Sequence, residues 1–195
     1  MTPRHAGALL AATSSVADPI AKLSASVMPY AWKSHTLLYG PEGGMEFPGV
    51  TMSHGDDRLL HETAHQWFPM MVGSDETRFD FMDEGYATFD AAVAGGAAVG
   101  QSGAEPPALA PLVVANDVRT PRPALGYGRG SRMLQSLAAR VGPERLLAAL
   151  RAYAFEWRFE HPSPWDFMAS MERHLGEDLD AFWLEWLFST DAIGS

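Results

Sequence analysis

The sequence predicts an α+β fold in which a small mixed sheet is followed by a mainly helical bundle. Two short runs of strand-forming residues lie in the first third of the chain, and helical periodicity dominates the last third. Strands grouped first and helices grouped afterwards are typical of the α+β class. The chain has 195 residues, which is the length of one domain, and we predict a single domain over residues 1–195.

The composition excludes several classes of protein. Lys and Arg total 14 while Asp and Glu total 24, and the resulting net charge of −10 argues against binding to nucleic acid or to an anionic membrane surface. No apolar stretch approaches the roughly 18 residues that a spanning helix needs. Cysteine is absent, so any metal must be bound by His, Asp or Glu. The N-terminus resembles a signal peptide only poorly, and we predict a cytoplasmic protein.

The first part of the chain is predicted to contain a helical lead-in and the sheet. Apolar residues at helical spacing within residues 1–28 indicate one or two short helices. Residues 35–39 and 45–52 predict two strands. Pro48 interrupts the second strand, which favours an edge position because proline cannot donate a hydrogen bond to a neighbour on that side.

Two helices and a long connection are predicted next. Apolar residues recur at helical spacing over residues 57–68, and Pro69 ends that pattern. A second helix begins near Asp83 and runs to about residue 93, so residues 29–94 hold the strands and both helices. Residues 95–126 are rich in Gly, Ala and Pro, and their length fits either a loop bordering a functional site or a surface excursion.

The remaining segment, residues 127–195, is predicted to be helical. Ser163 and Asp166 flank Pro164 in the pattern of a capping box, which marks the start of one helix. The apolar spacing gives helices at 132–141, 144–157, 164–176 and 182–187. The aromatic residues of the last of these helices, Phe182, Trp183 and Trp186, are predicted to lie in the core.

The motif with the strongest chemical meaning is the His-Glu-Thr-Ala-His segment at residues 61–65. His61 and His65 are one helical turn apart, so both imidazoles lie on nearly the same face and can bind one metal ion. Chance alone produces this pattern in about one of 65 chains of this composition, so a third ligand is needed. Glu84, at the start of the next predicted helix, supplies it and lowers the chance of accident by a further factor of about 16.

Taken together, four ordered motifs resemble the gluzincin zinc aminopeptidases of the membrane alanyl aminopeptidase and leukotriene hydrolase family. Those enzymes carry the same zinc motif, the later Glu, an upstream Gly-x-Met-Glu-Asn motif and a downstream Tyr-x-Lys-Gly motif. The similarity extends over about residues 29–188. The corresponding segments here are Gly43-Gly44-Met45-Glu46 and Tyr127-Gly128-Arg129-Gly130, with Arg129 in place of the family's Lys.

This resemblance implies a thermolysin-like catalytic domain with one zinc ion held by His61, His65 and Glu84. Glu62 has a different bearing on the helix from the two His ligands, so it can face the water on the metal and act as general base. By resemblance, Tyr127 donates a hydrogen bond to the oxygen on which charge develops.

The resemblance also implies a substrate-binding segment at Gly43, Gly44, Met45 and Glu46. A carboxylate beside the zinc suits a free α-ammonium, and Glu46 is the candidate. Glycine lets the substrate backbone come close to the chain. Phe47 stands where many relatives have Asn, so the hydrogen bond of that Asn is missing here.

Several acidic residues near the third ligand have a less specific interpretation. Asp83 fits either a group that supports the metal ligands or an ordinary helix N-cap, and the sequence does not separate these roles. Asp75, Glu76 and Asp80 are predicted to form a solvated acidic turn.

Three functions follow from these motifs. The first is a zinc aminopeptidase that releases N-terminal residues from a peptide substrate. The second is a broader metallopeptidase with endopeptidase activity. The third is a non-catalytic or partner-dependent zinc module. Full-length relatives have a β-rich N-terminal domain and a helical C-terminal domain, and the present sequence matches their catalytic domain only. A partner chain or an oligomer completing the cleft is therefore part of the expectation.

Overall fold

A computed structural model describes the chain over residues 16–39, 43–53, 56–100 and 126–188. Within these residues the fold is α+β, as the sequence predicts: three short strands precede a set of helices. The predictions made for residues 1–15, 101–125 and 189–195 lie outside the described residues.

The sheet has three strands: β1 (Thr36–Tyr39), β2 (Met45–Phe47) and β3 (Val50–Ser53). Their order is β1-β3-β2, with β3 parallel to β1 and antiparallel to β2. The sheet is therefore mixed, and β3 lies at its centre.

The prediction of one edge strand over residues 45–52 is wrong. Pro48 and Gly49 form a tight turn, and the segment folds back on itself as the β2–β3 hairpin. Of the two strands in this hairpin, only β2 is at an edge of the sheet. A proline between two apolar runs is also typical of a turn. Because the residues on both sides have a strand-like composition, the sequence pattern did not distinguish a turn from an interrupted strand.

The helices that carry the metal motif follow the sheet. Residues 16–26 form α1, Asp56–Ala64 form α2, and Glu84–Ala94 form α3. The predicted end of α2 at Pro69 is too late. After Ala64 the helix tightens to a 3₁₀ turn. The Gln66 amide donates to the Thr63 carbonyl at 3.1 Å, and the Trp67 amide donates to the Ala64 carbonyl at 3.0 Å.

Four helices build the rest of the described fold: α4 (Ser131–Val141), α5 (Pro143–Glu156), α6 (Pro164–Leu175) and α7 (Asp180–Trp183). The capping box at Ser163 and Asp166 is confirmed, with Ser163 Oγ accepting from the Asp166 amide at 3.3 Å. A π-helical turn, Leu184–Phe188, continues α7. Among the described residues, no helix is long and apolar enough to cross a bilayer.

A core of large aromatic side chains fixes α2 and α3 relative to each other. Its fully buried members include Trp67, Tyr86, Phe89, Tyr153 and Phe167. Burying each such side chain stabilises the fold by about 2–3 kcal/mol. The indole of Trp67 also donates a hydrogen bond to the carbonyl of Met28 at 2.7 Å. The end of the metal-motif helix is thereby held against the chain that enters the sheet.

Candidate active site

The structure brings the three predicted metal ligands together. His61 lies on α2, His65 lies one residue beyond its end, and Glu84 is the first residue of α3. His61 Nε2 is 3.1 Å from Glu84 Oε2 and 3.2 Å from His65 Nε2, and His65 Nε2 is 3.4 Å from Glu84 Oε2. Ligand atoms at about 2.0–2.1 Å from one tetrahedral zinc ion are about 3.3 Å from each other. The donor set and its spacing therefore fit zinc.

The hydrogen bonds among these groups shift the pKa values of Glu84 and His65. Burial by itself raises the pKa of Glu84, but hydrogen bonds from His61, His65 and Tyr127 outweigh it and lower the pKa to about 2. Burial lowers the pKa of His65, whereas its bonds to Asp83 and Glu84 prevail and raise the pKa to about 11. The carboxylate of Glu84 is thus ionised, as a carboxylate ligand of a cation must be.

Asp83 supports a ligand. Its Oδ1 lies 2.5 Å from Nδ1 of His65, which also faces the carbonyl of Phe68 at 3.1 Å. Both side chains are almost fully buried. Asp83 occupies the N-cap position of α3, but its side chain makes no capping hydrogen bond. Of the two roles left open by the sequence, the structure favours support of His65, because a partner on Nδ1 directs Nε2 towards the other ligand atoms.

Glu62 lies beside the ligands with its side chain in a confined position. It is 7% exposed, and burial raises the pKa of Glu62 while the neighbouring His61 and His65 oppose that rise. A Cβ atom added to Gly44 would overlap the Glu62 carboxylate and lie 2.8 Å from its Cγ. The position of Glu62 therefore requires glycine at residue 44.

Tyr127 lies over the ligand group on a π-helical turn, Gly126–Gly130. Its ring stacks on the imidazole of His61 with 5.6 Å between centroids, and its hydroxyl hydrogen-bonds to Glu84. Burial, followed by the charge of Glu84, raises the pKa of Tyr127 above its ordinary value. The hydroxyl therefore stays protonated and able to donate.

The turn that carries Tyr127 is anchored on both sides. A Cβ on Gly130 would lie 2.8 Å from the Cα of Gly85, so the turn packs backbone to backbone against α3. Arg129 is buried, and its Nη2 donates to the carbonyl of Trp186 at 3.3 Å. This arginine faces the end of α7 and serves as an anchor of the turn.

Asp80 was predicted to be solvated, and that prediction is wrong. The residue is 8% exposed, and its carboxylate accepts a hydrogen bond from the backbone amide of Gly126. Burial raises the pKa of Asp80 to about 6, with the charges of Glu84 and Asp83 adding to the rise. Asp80 therefore fixes the first residue of the turn that carries Tyr127.

The predicted substrate-binding segment forms one wall of a cleft of about 560 Å³ in front of the ligand atoms. Gly44, Met45 and Glu46 line this cleft, and Gly43 lies one residue before them. The opposite lining comes from α2, Glu84 and Tyr127. Burial raises the pKa of Glu46, and the charge of His65 opposes that rise.

Gln66 is a positioning residue that sequence reasoning missed. Its buried amide accepts from the Gly49 amide at 2.8 Å and donates to the carbonyls of Phe47 and Val50 at 3.0 and 3.2 Å. The end of the metal helix is therefore tied to the β2–β3 turn, which sets the distance between Glu46 and His65. The sequence offered one indication of this role: Gln66 is a polar amide that lies directly between the predicted ligand His65 and the apolar Trp67.

Comparisons with known proteins agree with the motifs. The chain is 25% identical to aminopeptidase N of Streptomyces lividans over an alignment of 199 positions, which covers 81% of this chain and 23% of that protein. No family model matches the chain. The chain thus spans about a quarter of the length of this curated relative.

Solved structures share the fold. An M1 zinc metallopeptidase from Deinococcus radiodurans superposes with a TM-score of 0.75 at 22% identity, covering 90% of this chain and 44% of that one. Leukotriene A4 hydrolase from Saccharomyces cerevisiae gives 0.72 at 20% identity, with coverages of 90% and 34%. Legionella pneumophila aminopeptidase A in complex with aspartic acid gives 0.73 at 19% identity, with coverages of 92% and 24%. The predicted resemblance to the zinc aminopeptidases is confirmed.

Proposed function

We propose that this chain is the thermolysin-like catalytic part of a zinc-dependent aminopeptidase, which hydrolyses the N-terminal residue from a peptide. The observation that carries the proposal is the convergence of His61, His65 and Glu84 within 3.4 Å, beside the confined carboxylate of Glu62 and at the floor of an open cleft. A purely structural metal site does not need a buried carboxylate next to the ligands or a cleft in front of them.

In this proposal His61, His65 and Glu84 hold one zinc ion. When bound, zinc polarises the scissile carbonyl and acidifies the attacking water. Glu62 accepts the proton of that water and passes it to the leaving amine. Its raised pKa suits both steps, because a base whose pKa approaches the working pH both takes and returns a proton readily.

Tyr127 would stabilise the oxygen of the scissile carbonyl. Its hydroxyl is protonated and lies above the ligand group, where it bonds to Glu84. On substrate binding the hydroxyl would turn from Glu84 to the carbonyl oxygen. Losing one such donor typically lowers kcat by about 10²–10³-fold.

Glu46 would bind the free α-ammonium of the substrate, which makes the enzyme an exopeptidase. Its carboxylate lies within 4.8 Å of His65 and Asp83, so it reaches the ligand group from the β2 side. Legionella aminopeptidase A, which shares this fold, was solved in complex with aspartic acid, and this supports recognition of a free amino acid by a protein of this fold. The acidic cleft favours a cationic amine over a blocked terminus.

The remaining predictions stay proposals of the same kind. A single catalytic domain, a cytoplasmic location and completion of the cleft by a partner chain or an oligomer are all compatible with this site. The described walls come from β2, α2, α3 and the Tyr127 turn, so a further wall on the substrate side would tighten binding.

The test combines metal content with hydrolysis. We expect one zinc per chain and cleavage of an alanyl chromogenic substrate, but not of its N-acetylated form. Glu62→Gln is expected to retain zinc and to lose about 10²–10⁴-fold in kcat. No hydrolysis despite full zinc occupancy would contradict the enzyme. Equal cleavage of the acetylated substrate would instead indicate an endopeptidase.

A further inference from the structure

Arg58 introduces a positive charge into an otherwise acidic cleft. Arg58 lines the cavity together with Glu46, Glu62 and Glu84. Among the described residues that line the cavity, no other is a Lys or an Arg. Its side chain is exposed and makes no ion pair or hydrogen bond with any described residue. Within the described part of the chain, no side chain occupies the guanidinium.

The position of Arg58 on α2 relates it to the reaction centre. Arg58 precedes His61 by three residues and Glu62 by four, so these side chains are neighbours on the helix. His65 lies seven residues further along, about 10 Å from Arg58 along the helix axis. Glu46 is at the His65 end, within 4.8 Å of that ligand. In the direction parallel to α2, the cleft therefore presents Glu46 of β2 first, then the ligand group, and then Arg58.

This order fixes the direction of a bound peptide. An extended chain advances about 3.3–3.6 Å per residue, so the residues after the first run from the His65 end of this 10 Å towards Arg58. If Glu46 binds the ammonium, the first carbonyl lies at the ligand group. The residues on the leaving side of the scissile bond then lie in front of Arg58.

We propose that Arg58 binds a carboxylate on the leaving side of the scissile bond. This inference rests on the proposed function and adds a substrate class to it: peptides whose second residue is acidic, or dipeptides whose α-carboxylate lies in the same place. A guanidinium pairs with a carboxylate through two parallel hydrogen bonds. It also offsets the repulsion that Glu46, Glu62 and Glu84 exert on an anionic substrate.

Three dipeptides that differ only in their carboxylates test this proposal. Ala-Asn-NH₂ carries none on the leaving side, Ala-Asp-NH₂ carries one on the side chain, and Ala-Asn-OH carries one at the terminus. For the zinc-loaded protein we expect kcat/KM to be about two- to fivefold higher for a substrate with a carboxylate, mainly through KM. The advantage should shrink between about 0.05 and 0.5 M salt.

Arg58→Gln should abolish this advantage, so that kcat/KM for the two substrates with a carboxylate becomes equal to that for Ala-Asn-NH₂. Arg158→Gln removes an equivalent charge from an exposed residue that only stacks on Phe159, and it should leave all three rates unchanged. A gain confined to Ala-Asp-NH₂ identifies the side chain as the recognised group, and a gain confined to Ala-Asn-OH identifies the terminus. Equal kcat/KM for all three dipeptides, or a preference that survives in Arg58→Gln, would overturn the proposal.

Binding to the inactive Glu62→Gln protein separates this inference from the proposed function. Titration calorimetry with the same dipeptides should show the same two- to fivefold preference, lost in the Arg58→Gln/Glu62→Gln double variant. If the wild-type protein cleaves nothing and the binding preference is present, the peptidase assignment fails while the carboxylate site stands. If peptides are cleaved without any preference, the carboxylate site fails alone.

Discussion

Gly44→Ala is the smallest change that should separate the proposed base from its working position. A Cβ at residue 44 would overlap the carboxylate of Glu62 and lie 2.8 Å from its Cγ. Ordinary contacts between carbon atoms begin at about 3.4–3.5 Å, so the carboxylate must swing away by more than about 1 Å.

The cost of this displacement should appear in catalysis and not in folding. The three atoms nearest to the new methyl group all belong to the flexible Glu62 side chain, which can move without the backbone. A misplacement of about 1 Å at a reacting group costs about 10²-fold in rate. We therefore expect kcat to fall about 100-fold, which corresponds to about 2.7 kcal/mol, with stability changed by less than about 0.5 kcal/mol.

The assay measures kcat on the alanyl chromogenic substrate, zinc content and the free energy of unfolding by urea. Gly142→Ala is the matched control. Gly142 lies between α4 and α5 with φ of 97°, and a Cβ there would have no atom within 4 Å. That variant should lose about 1–3 kcal/mol of stability through backbone strain while kcat is unchanged. If Gly44→Ala retains kcat within twofold of the wild type, Glu62 is not held as argued.

Two further predictions concern buried acids of α3 and its N-cap. Asp83→Asn should weaken zinc binding about 10- to 100-fold, because His65 Nδ1 loses its carboxylate partner. Competition with a chelator measures the zinc affinity. An unchanged affinity would contradict the support of His65 by Asp83. Burial raises the pKa of Asp90 to about 8, against about 3.9 in the unfolded chain. The folded protein then keeps a proton that the unfolded chain releases, so the contribution of Asp90 to stability is complete below about pH 4 and is lost as pH rises to about 8, by about 1.4 kcal/mol per unit. Asp90→Asn should remove this loss, which urea unfolding of both proteins at about pH 5 and 7 measures. If the stabilities of the two proteins change in parallel between these pH values, the prediction for Asp90 is wrong.

The ligand set could be predicted from the sequence because its geometry is local. Two imidazoles four residues apart share a helix face whatever surrounds them, and Glu84 opens α3 where the pattern predicts a helix to begin. The capping box at Ser163 is equally local, and it correctly marked the start of α6.

The residues that were missed or misassigned depend on contacts between distant parts of the chain. Asp80 resembles a surface carboxylate until Gly126 donates its amide to it. Gln66 acquires its role only when the β2–β3 turn packs against the end of α2, and the sequence pattern did not reveal that turn. Periodicity records which face of an element is apolar, but it does not record which element that face meets.

The groups proposed for catalysis come from four segments, and each segment is located by a close contact with another. The β2 strand is held to the end of α2 by Gln66, and Gly44 packs on Glu62. The Tyr127 turn is held to α3 by the contact between the backbones of Gly85 and Gly130. These contacts all lie within the described residues, and they connect the segments that carry the predicted ligand atoms and the proposed base. A partner chain would then act on substrate affinity by adding walls to the cleft, and we expect it to lower KM while zinc affinity stays the same.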